Sequence, residues 1–449
     1  MNNTKLMISL GSITFTVTSS LSLLATINIP QGQTVFFSLV AIGPKGTREI
    51  PGITYPLKNE DINLQKLQCV AGGISPEETN FCAVFRTADH ATVAYQLPGS
   101  SRLYSPLPLI AQLLRDLPDD MLAIVHSLHE GVGQSIRTLW GEGLANRIMD
   151  ETAFGSQSAV PRYSVVIPYY GRYDFARHQL AAFSEDPCFT GGRAEVVFVL
   201  DKPEDLTQFI SVVSGLDTAF GVPFRLVVPE KNLGYAGANN LGVDRARGEF
   251  VCLLNSDVLP AGPGWLESLA SHFELVGDVG AMGALLLYEN ETIQHAGMAF
   301  SLLPGTDWYI NDHPLKGLGL EFLPQRGVLP MAAVSGACML LRRSQYLEIG
   351  GLDTAFLRGD FEDSDLCLRL RQSGKSIYVD LDTKLYHLER QSFAAAPERM
   401  KFTLYNAWLQ NARWKNELLS LSRIVAPIQC GGLTHVISYP DAGPWASPL

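Results

Sequence analysis

From Tyr163 onward, short apolar runs alternate with stretches whose apolar residues recur at helical spacing; the runs are 164–167, 195–200, 224–228 and 250–254. Runs of this length, rich in β-branched and aromatic residues and lacking polar alternation, are strands buried on both faces. Strands separated by helices pair in parallel, because each crossover returns the chain to the same end of the sheet. The pattern predicts an α/β domain with a mostly parallel central sheet. In such sheets ligands bind at the carboxyl ends of the strands.

The rest of the chain has other textures. Residues 1–105 hold β-branched and aromatic runs broken by Pro30, Gly32, Pro44, Gly46, Gly72, Gly73 and Gly99. That spacing predicts a small all-β, sandwich-like accessory module. Its first runs, between Leu6 and Ile27, read as a β-strand pair, since Gly11, Ser12, Thr14, Thr16, Thr18, Ser19 and Ser20 interrupt what would otherwise be a weak signal peptide. Residues 106–160 carry helical spacing over 107–117 and 121–148 and form a helical connector, followed by the α/β domain over 161–395. A C-terminal helix and tail occupy 396–449, with Trp408 and Trp414 on the helix.

With 34 Lys and Arg against 45 Asp and Glu, the net charge is −11, which argues against duplex nucleic acid as a partner. Seven scattered cysteines without a C-x-x-C pair read as buried thiols in a reducing compartment. No apolar run reaches the ~18 residues of a membrane span.

Chemistry-bearing residues gather where the strands end. The run at 195–200 stops at Asp201, which suits either hydrogen bonds to a nucleobase or ribose, or a turn. Asn232, Gly234, Gly237, Ala238 and Asn239 make a small-residue entry to a helix, where backbone amides approach an anion closely. The run at 250–254 is followed at once by Asn255-Ser256-Asp257, oxygen donors spaced for a divalent cation or for an Asx turn. Glu362, Asp363 and Asp365 crowd three carboxylates into four residues, which requires a cation, a nearby arginine such as Arg369 or Arg371, or a raised pKa. His387 follows a further apolar run and suits either a structural role or a metal ligand.

In order along the chain stand SVVIPYYGR, NLGYAGANNLG leading to LLNSDV, IQHAG at 293–297, VSGACMLLRR at 334–343, GGLDTAF, FEDSDLCLRLRQSGKSIYV and YHLERQS. This succession, from Tyr163 to Phe393, resembles the inverting family 2 glycosyltransferases of GT-A fold, and most of all their bacterial rhamnosyltransferase-like branch. The resemblance implies a GT-A nucleotide-diphospho-sugar transferase domain, with the donor across its first half and an acceptor hydroxyl approaching from the second. By resemblance Asp363 matches the family's catalytic base, with Glu362 beside it as the second choice. Asp257 and His387 match metal-contacting residues, and Asn255 takes the first position of the D-x-D-type motif. Pro168, Tyr170, Asp201, Asn232, Gly234, Ala238, Asn239, Asn255 and Ser256 fall in the donor region, and Gly336, Asp365 and Trp308 in the acceptor region. The sequence departs from the usual pattern at LDKPED, where many members have VDNGSTD, so the contacts following Asp201 differ.

The implied cofactor is Mn2+ or Mg2+. The implied partners are a nucleotide-sugar donor and a glycan or lipid-linked acceptor in bacterial surface-glycan synthesis, without nucleic acid. The implied location is the cytoplasm or the inner face of the membrane, where the C-terminal helix either packs on the domain or makes a peripheral membrane contact. The rival reading is a glycan- or nucleotide-sugar-binding protein on a degenerate GT-A fold. Trp308 and Tyr309, in a Pro- and Gly-punctuated stretch, are expected either on a mobile loop over the acceptor or in the core.

Overall fold

The computed structural model describes residues 7–16, 20–28, 34–43, 46–49, 55–58, 65–70, 80–87, 92–96, 110–111, 114–115, 117, 119–140, 148–158, 160–324, 326–388, 399–422, 425–430 and 433–438. The chain divides into two compact units: Met1–Glu142 with Pro397–Trp408, and Gly143–Ala396 with Leu409–Leu449.

The first unit carries strands β1 (Met7–Thr16), β2 (Ser20–Asn28), β3 (Thr34–Gly43), β4 (Gly46–Glu49), β5 (Tyr55–Lys58), β6 (Gln65–Val70), β7 (Asn80–Thr87) and β8 (Thr92–Gln96). All pair antiparallel, in the order β1-β2-β6 in one sheet and β4-β3-β7-β8 in another, with β5 also on β3. Val40, Ile42, Cys82, Val84, Phe85 and Ala94 are among its buried strand residues. Helices Met121–Ser127 and Gly133–Trp140 follow, joined by a π-helical turn at Leu128–Val132, and Asp120 caps the first by accepting from the Ala123 amide at 2.9 Å. Within this unit Lys401 donates to the Leu117 carbonyl at 2.7 Å, and the Trp408 indole lies where a Cβ at Gly133 would be 2.6 Å away.

The second unit is built on strands β9 (Ile148–Phe154), β10 (Tyr163–Tyr169), β11 (Ala194–Leu200), β12 (Phe224–Pro229), β13 (Phe250–Leu254), β14 (Val258–Pro260), β15 (Val279–Leu287), β16 (Ile293–His295), β17 (Ala299–Leu302), β18 (Tyr309–Asp312), β19 (Val328–Met331), β20 (Cys338–Arg342) and β21 (Ser376–His387). The main sheet runs β14-β21-β15-β20-β13-β10-β11-β12-β9, with β16 on β15 and β19 on β21. Its centre, β13-β10-β11-β12, is parallel, and so is β15-β21. Successive residues of β10 and β11 enter opposite cores: Val165, Ile167, Val196 and Phe198 on one face, and Val166, Val197 and Val199 on the other. Both faces being covered explains why these strands read as unbroken apolar runs.

The helix Gly234–Arg245 lies against the second of these faces through Ala236, Ala238, Leu241 and Val243. Gly242 permits the close approach, for a Cβ there would meet the Val166 side chain at 2.3 Å. One boundary differs from expectation. Residues 148–154, assigned from sequence to the helical connector, form β9 and pair antiparallel with β12 along the sheet edge. Their burial alternates between half-buried and exposed, and the sequence IMDETAF, rich in good helix formers, takes the strand conformation through pairing and not by propensity. After the helix Arg399–Ser422 the tail forms a hairpin, β22 (Val425–Cys430) with β23 (Leu433–Ser438). Cys82, Cys188, Cys252, Cys338 and Cys367 are free and buried, while the side chains of Cys69 and Cys430 lie outside the description. Among the described residues no helix is long and apolar enough to cross a membrane.

Candidate active site

The acidic pair opens the helix Glu362–Gln372, and the chain reaches it through Arg358, Gly359, Asp360 and Phe361 at φ of 63°, 141°, 80° and 75°. Four successive left-handed residues fix the helix entry by backbone geometry, at an energetic cost the surroundings must hold. Asp363 remains partly accessible, whereas Glu362 is 4% exposed. The Asp363 carboxylate accepts from the Gly336 amide at 3.0 Å and from the Ser364 amide at 2.8 Å. Burial pushes its pKa up to about 6 against the pull of those amides, with Asp360 adding to the rise. Burial, and then the charge of Asp363, holds Glu362 well above the usual carboxylate range, and its Oε2 has no hydrogen-bond partner. The pair is therefore a partly accessible aspartate beside a glutamate whose protonated form burial favours.

Asp257 sits at the turn between β13 and β14. Its Oδ1 is 3.3 Å from Nε2 of His387, the last residue of β21, and Val258 pairs with His387 across the sheet. Asn255, two residues before Asp257, has a buried Oδ1 without a partner. The turn is held from below by Gln179, which donates to the Asn255 carbonyl at 2.9 Å and the Val258 carbonyl at 3.0 Å, and accepts from the Tyr169 hydroxyl at 2.6 Å. Among the described residues no three His, Cys, Asp or Glu side chains converge on one point. The unpartnered Asn255 oxygen and the carboxylate facing an imidazole nitrogen nevertheless fit a cation whose remaining ligands come from substrate or water.

Gly336 and Ala337 join the two acidic sites. The Asn255 amide donates to the Ala337 carbonyl at 3.0 Å, while the Gly336 amide donates to Asp363. The Tyr235 hydroxyl donates to the Gly336 carbonyl at 2.8 Å, bringing in the N-terminus of the helix Gly234–Arg245. Asp363, Gly336, Tyr235, Asn255, Asp257 and His387 thus belong to one hydrogen-bonded constellation at the strand ends. Tyr170, 45% exposed, and the half-buried Pro168 close β10 at the same edge of the sheet, and Ser256 is buried within the turn.

Other expected residues are placed differently. Asp201 is 4% exposed, and its carboxylate accepts from Asn232 Nδ2 at 2.8 Å and the Leu233 amide at 2.6 Å, with the Gly234 amide adding to the set. Burial still raises its pKa well above the ordinary range, and the geometry is that of a carboxylate clamping the 232–234 turn. Ala238 lies in the core and not at the helix tip, and Asn239, wholly buried, donates to the Tyr235 carbonyl and leaves its own Oδ1 unpartnered. Trp308 is 1% exposed, so its ring is a core side chain and offers no face to a sugar. Asp365 is likewise turned inward: Oδ2 accepts from Arg369 at 2.8 Å and Oδ1 from Arg413 at 3.2 Å and the Trp414 indole at 2.8 Å. That carboxylate anchors the C-terminal helix, which also explains Trp414. Residues Gln179, Tyr235, Gln294 and His295 escaped the sequence reading as individual site members; Gln294 and His295 stand in the quoted IQHAG run, whereas nothing near Gln179 marks it.

Residues 164–344 match the family described as Glycosyl transferase family 2. Over 269 residues, 59% of this chain, the protein is 26% identical to the uncharacterized protein y4gI of Sinorhizobium fredii, covering 28% of its length. It is 28% identical over 262 residues to the O-antigen biosynthesis protein RfbC of Myxococcus xanthus, covering 56% of this chain and 19% of that one. To the amylovoran biosynthesis glycosyltransferase AmsB of Erwinia amylovora it is 26% identical over 253 residues, covering 55% and 76% of the two chains. The chain therefore spans less than a third of the length of the first two relatives. A solved structure of GalNAc-T7 with UDP, GalNAc and Mn2+ superposes with a TM-score of 0.45 at 15% identity, covering 59% of this chain and 51% of that one. The match to the glycosyl transferase family 2 model thus falls within the second unit, on the mixed sheet whose centre is parallel and whose strand ends carry these motifs.

Proposed function

We propose that the protein is a metal-dependent, inverting glycosyltransferase that moves a sugar from a nucleotide-diphosphate donor to an acceptor hydroxyl in the synthesis of a bacterial surface polysaccharide. The observation that carries this reading is the Gly336–Ala337 segment, which accepts from the Asn255 amide on one side and donates to the Asp363 carboxylate on the other. A base and a diphosphate site tied through two residues suit a reaction whose two ends lie on one sugar carbon. The O-antigen and amylovoran names of the relatives support the surface-glycan assignment.

Asp363 accepts the proton of the acceptor hydroxyl as that oxygen bonds to C1 of the sugar. The bond from C1 to the diphosphate oxygen breaks in the same displacement, which inverts the anomeric centre. A carboxylate near pKa 6 is largely ionised at neutral pH and still basic enough to help a poor nucleophile. Burial favours the protonated form of Glu362 behind it, and the amides of Gly336 and Ser364, one on each oxygen, fix the orientation of the Asp363 carboxylate. Asp257 and His387 would hold Mn2+ or Mg2+, which when bound would offset charge on the departing diphosphate. Tyr170 and the 232–234 turn line the donor side of this arrangement.

The test is calorimetry of the purified chain with UDP-, GDP-, dTDP- and CMP-sugars, in Mn2+ and then in EDTA. Binding of one of them that is lost in EDTA supports the reading and names the donor. A folded chain that binds none is a degenerate scaffold.

A further inference from the structure

The IQHAG run places Gln294 and His295 next to each other on β16, and successive residues of a strand face opposite ways. Each reaches a different part of the site. Gln294 Oε1 lies 2.8 Å from His387 Nδ1, while its Nε2 approaches the His387 carbonyl at 3.4 Å. His295 Nε2 accepts from the Ser335 amide at 3.2 Å, and its Nδ1 is 3.0 Å from Nδ1 of His313. Both residues are buried, at 4% and 2% exposure.

Hydrogen-bond chemistry then fixes three tautomers. An amide oxygen only accepts, so the His387 nitrogen facing it carries the proton. The opposite amide orientation would set carbonyl against carbonyl at the His387 backbone. In a neutral His387 ring Nε2 is then the unprotonated nitrogen, and it is the nitrogen aimed at Asp257. A lone pair facing a carboxylate at 3.3 Å is an arrangement that a cation between them satisfies. On the other side, the Ser335 amide only donates, so His295 Nε2 is bare and Nδ1 carries the proton. Nδ1 of His313 must then accept. Burial, with His313, His387 and Lys316 around it, holds His295 well below the ordinary imidazole range, consistent with a neutral ring.

We infer that Gln294 and His295 are the paired positioning residues of the site. Gln294 holds His387 in the tautomer that leaves Nε2 free for a divalent cation, and His295 holds the Ser335 peptide, whose next amide, on Gly336, binds the base Asp363. The inference rests on the metal-dependent reading above and supplies its supporting hydrogen bonds. Partners of this kind around metal-ligating histidines set ring orientation and typically change metal affinity about 10- to 100-fold when removed.

The experiment uses the full chain labelled with 15N-histidine, free of metal, at a pH where the rings are neutral. The nine histidines are assigned by single substitutions. The expected spectrum shows His387 and His295 protonated at Nδ1 and His313 at Nε2. Gln294→Met, which keeps length but removes the acceptor, is expected to shift His387 towards the Nε2-protonated form, leave His295 unchanged, and weaken Mn2+ binding in the presence of UDP or GDP by about 10- to 100-fold. Gln294→Glu, which restores an acceptor, is expected to return His387 to the Nδ1-protonated form. His387 protonated at Nε2 in the wild-type spectrum overturns the inference, and so does a folded Gln294→Met whose tautomer and Mn2+ affinity are unchanged. If Gln294→Met fails to fold, Gln294→Glu decides, since loss of the Nδ1-protonated form there also overturns it. A wild-type chain with the expected tautomers that binds no Mn2+ with any nucleoside diphosphate refutes the metal-dependent reading and leaves the hydrogen-bond assignment standing.

Discussion

Gly336 and Asp363 are 27 positions apart in the chain and joined by one hydrogen bond, from the Gly336 amide to Asp363 Oδ2 at 3.0 Å. A Cβ at 336 would lie 2.8 Å from the Tyr235 hydroxyl oxygen and 3.5 Å from the Asp363 Cβ. Glycine is therefore favoured at 336 by the close approach of the Tyr235 hydroxyl, and not by a positive φ.

Gly336→Ala is expected to displace the Tyr235 hydroxyl and shift the 336 amide away from Asp363. Misplacement of a base by about 1 Å can lower turnover about 100-fold. Donor affinity, measured by calorimetry, should stay within a few-fold. Equal loss of binding and turnover would mean that the glycine serves the fold as a whole.

Asp363→Asn should lower transfer roughly 100- to 10,000-fold with the donor still bound, because only the transition state uses the base. In the wild type the rate should rise with pH through about 6 and then level off, since the ionised carboxylate is the active form. An unaltered rate in the variant removes Asp363 from the reaction.

The same residue makes a stability prediction of definite sign. Burial raises Asp363 from 3.8 to about 6, so the fold prefers the protonated acid; the contribution is fully present below pH 3.8 and is lost as pH rises through 6. Asp363→Asn, neutral at every pH, should accordingly gain stability relative to wild type as the pH rises through 6. Denaturant titration at pH 5 and pH 8 checks it, with the difference shifted in the variant's favour at pH 8.

Asp365→Ala removes the acceptor shared by Arg369, Arg413 and Trp414. Arg369 keeps the Ile349 and Gly351 carbonyls and Arg413 keeps Asp353, so losing the buried carboxylate and stranding the Trp414 N–H should cost about 1–3 kcal/mol, read as a lower unfolding midpoint. An acceptor-binding role would instead predict lost activity at unchanged stability.

Asp257→Ala should weaken donor binding in Mn2+ by more than about tenfold and make it indifferent to EDTA. Retained EDTA sensitivity would place the cation elsewhere.

How much of this was legible beforehand depends on the kind of signal. Strands β10, β11, β12 and β13 were readable because burial on both faces leaves only Ser164, Glu195 and Arg225, each near a strand start, to interrupt the apolar pattern. Strand β9 was not, since IMDETAF becomes a strand only by pairing with β12. The cluster of Glu362, Asp363 and Asp365 announced itself by charge crowding. Which carboxylate is accessible was hidden, because neighbouring positions on a helix face different ways and their partners, Gly336, Arg413 and Trp414, come from distant parts of the chain. Asp201 illustrates the same limit. Its place after a strand was evident, but its capture by Asn232 and the Leu233 amide was not. Trp308, in a stretch rich in Pro and Gly, suited either a sugar platform or the core, and its ring is folded inward.

The left-handed run from Arg358 to Phe361 bears on whether this site is portable. Three of its four residues carry side chains that disfavour such angles, each at about 1–3 kcal/mol, so the run persists only where its own surroundings enforce it. Copied into another helix, the letters EDSD would bring three carboxylates and a hydroxyl without the approach that separates an open acid from a buried one. A designer wishing to transplant this base would have to carry over the segment before it and the glycine that faces it, since the chemistry is encoded in the path of the chain as much as in the residues it delivers.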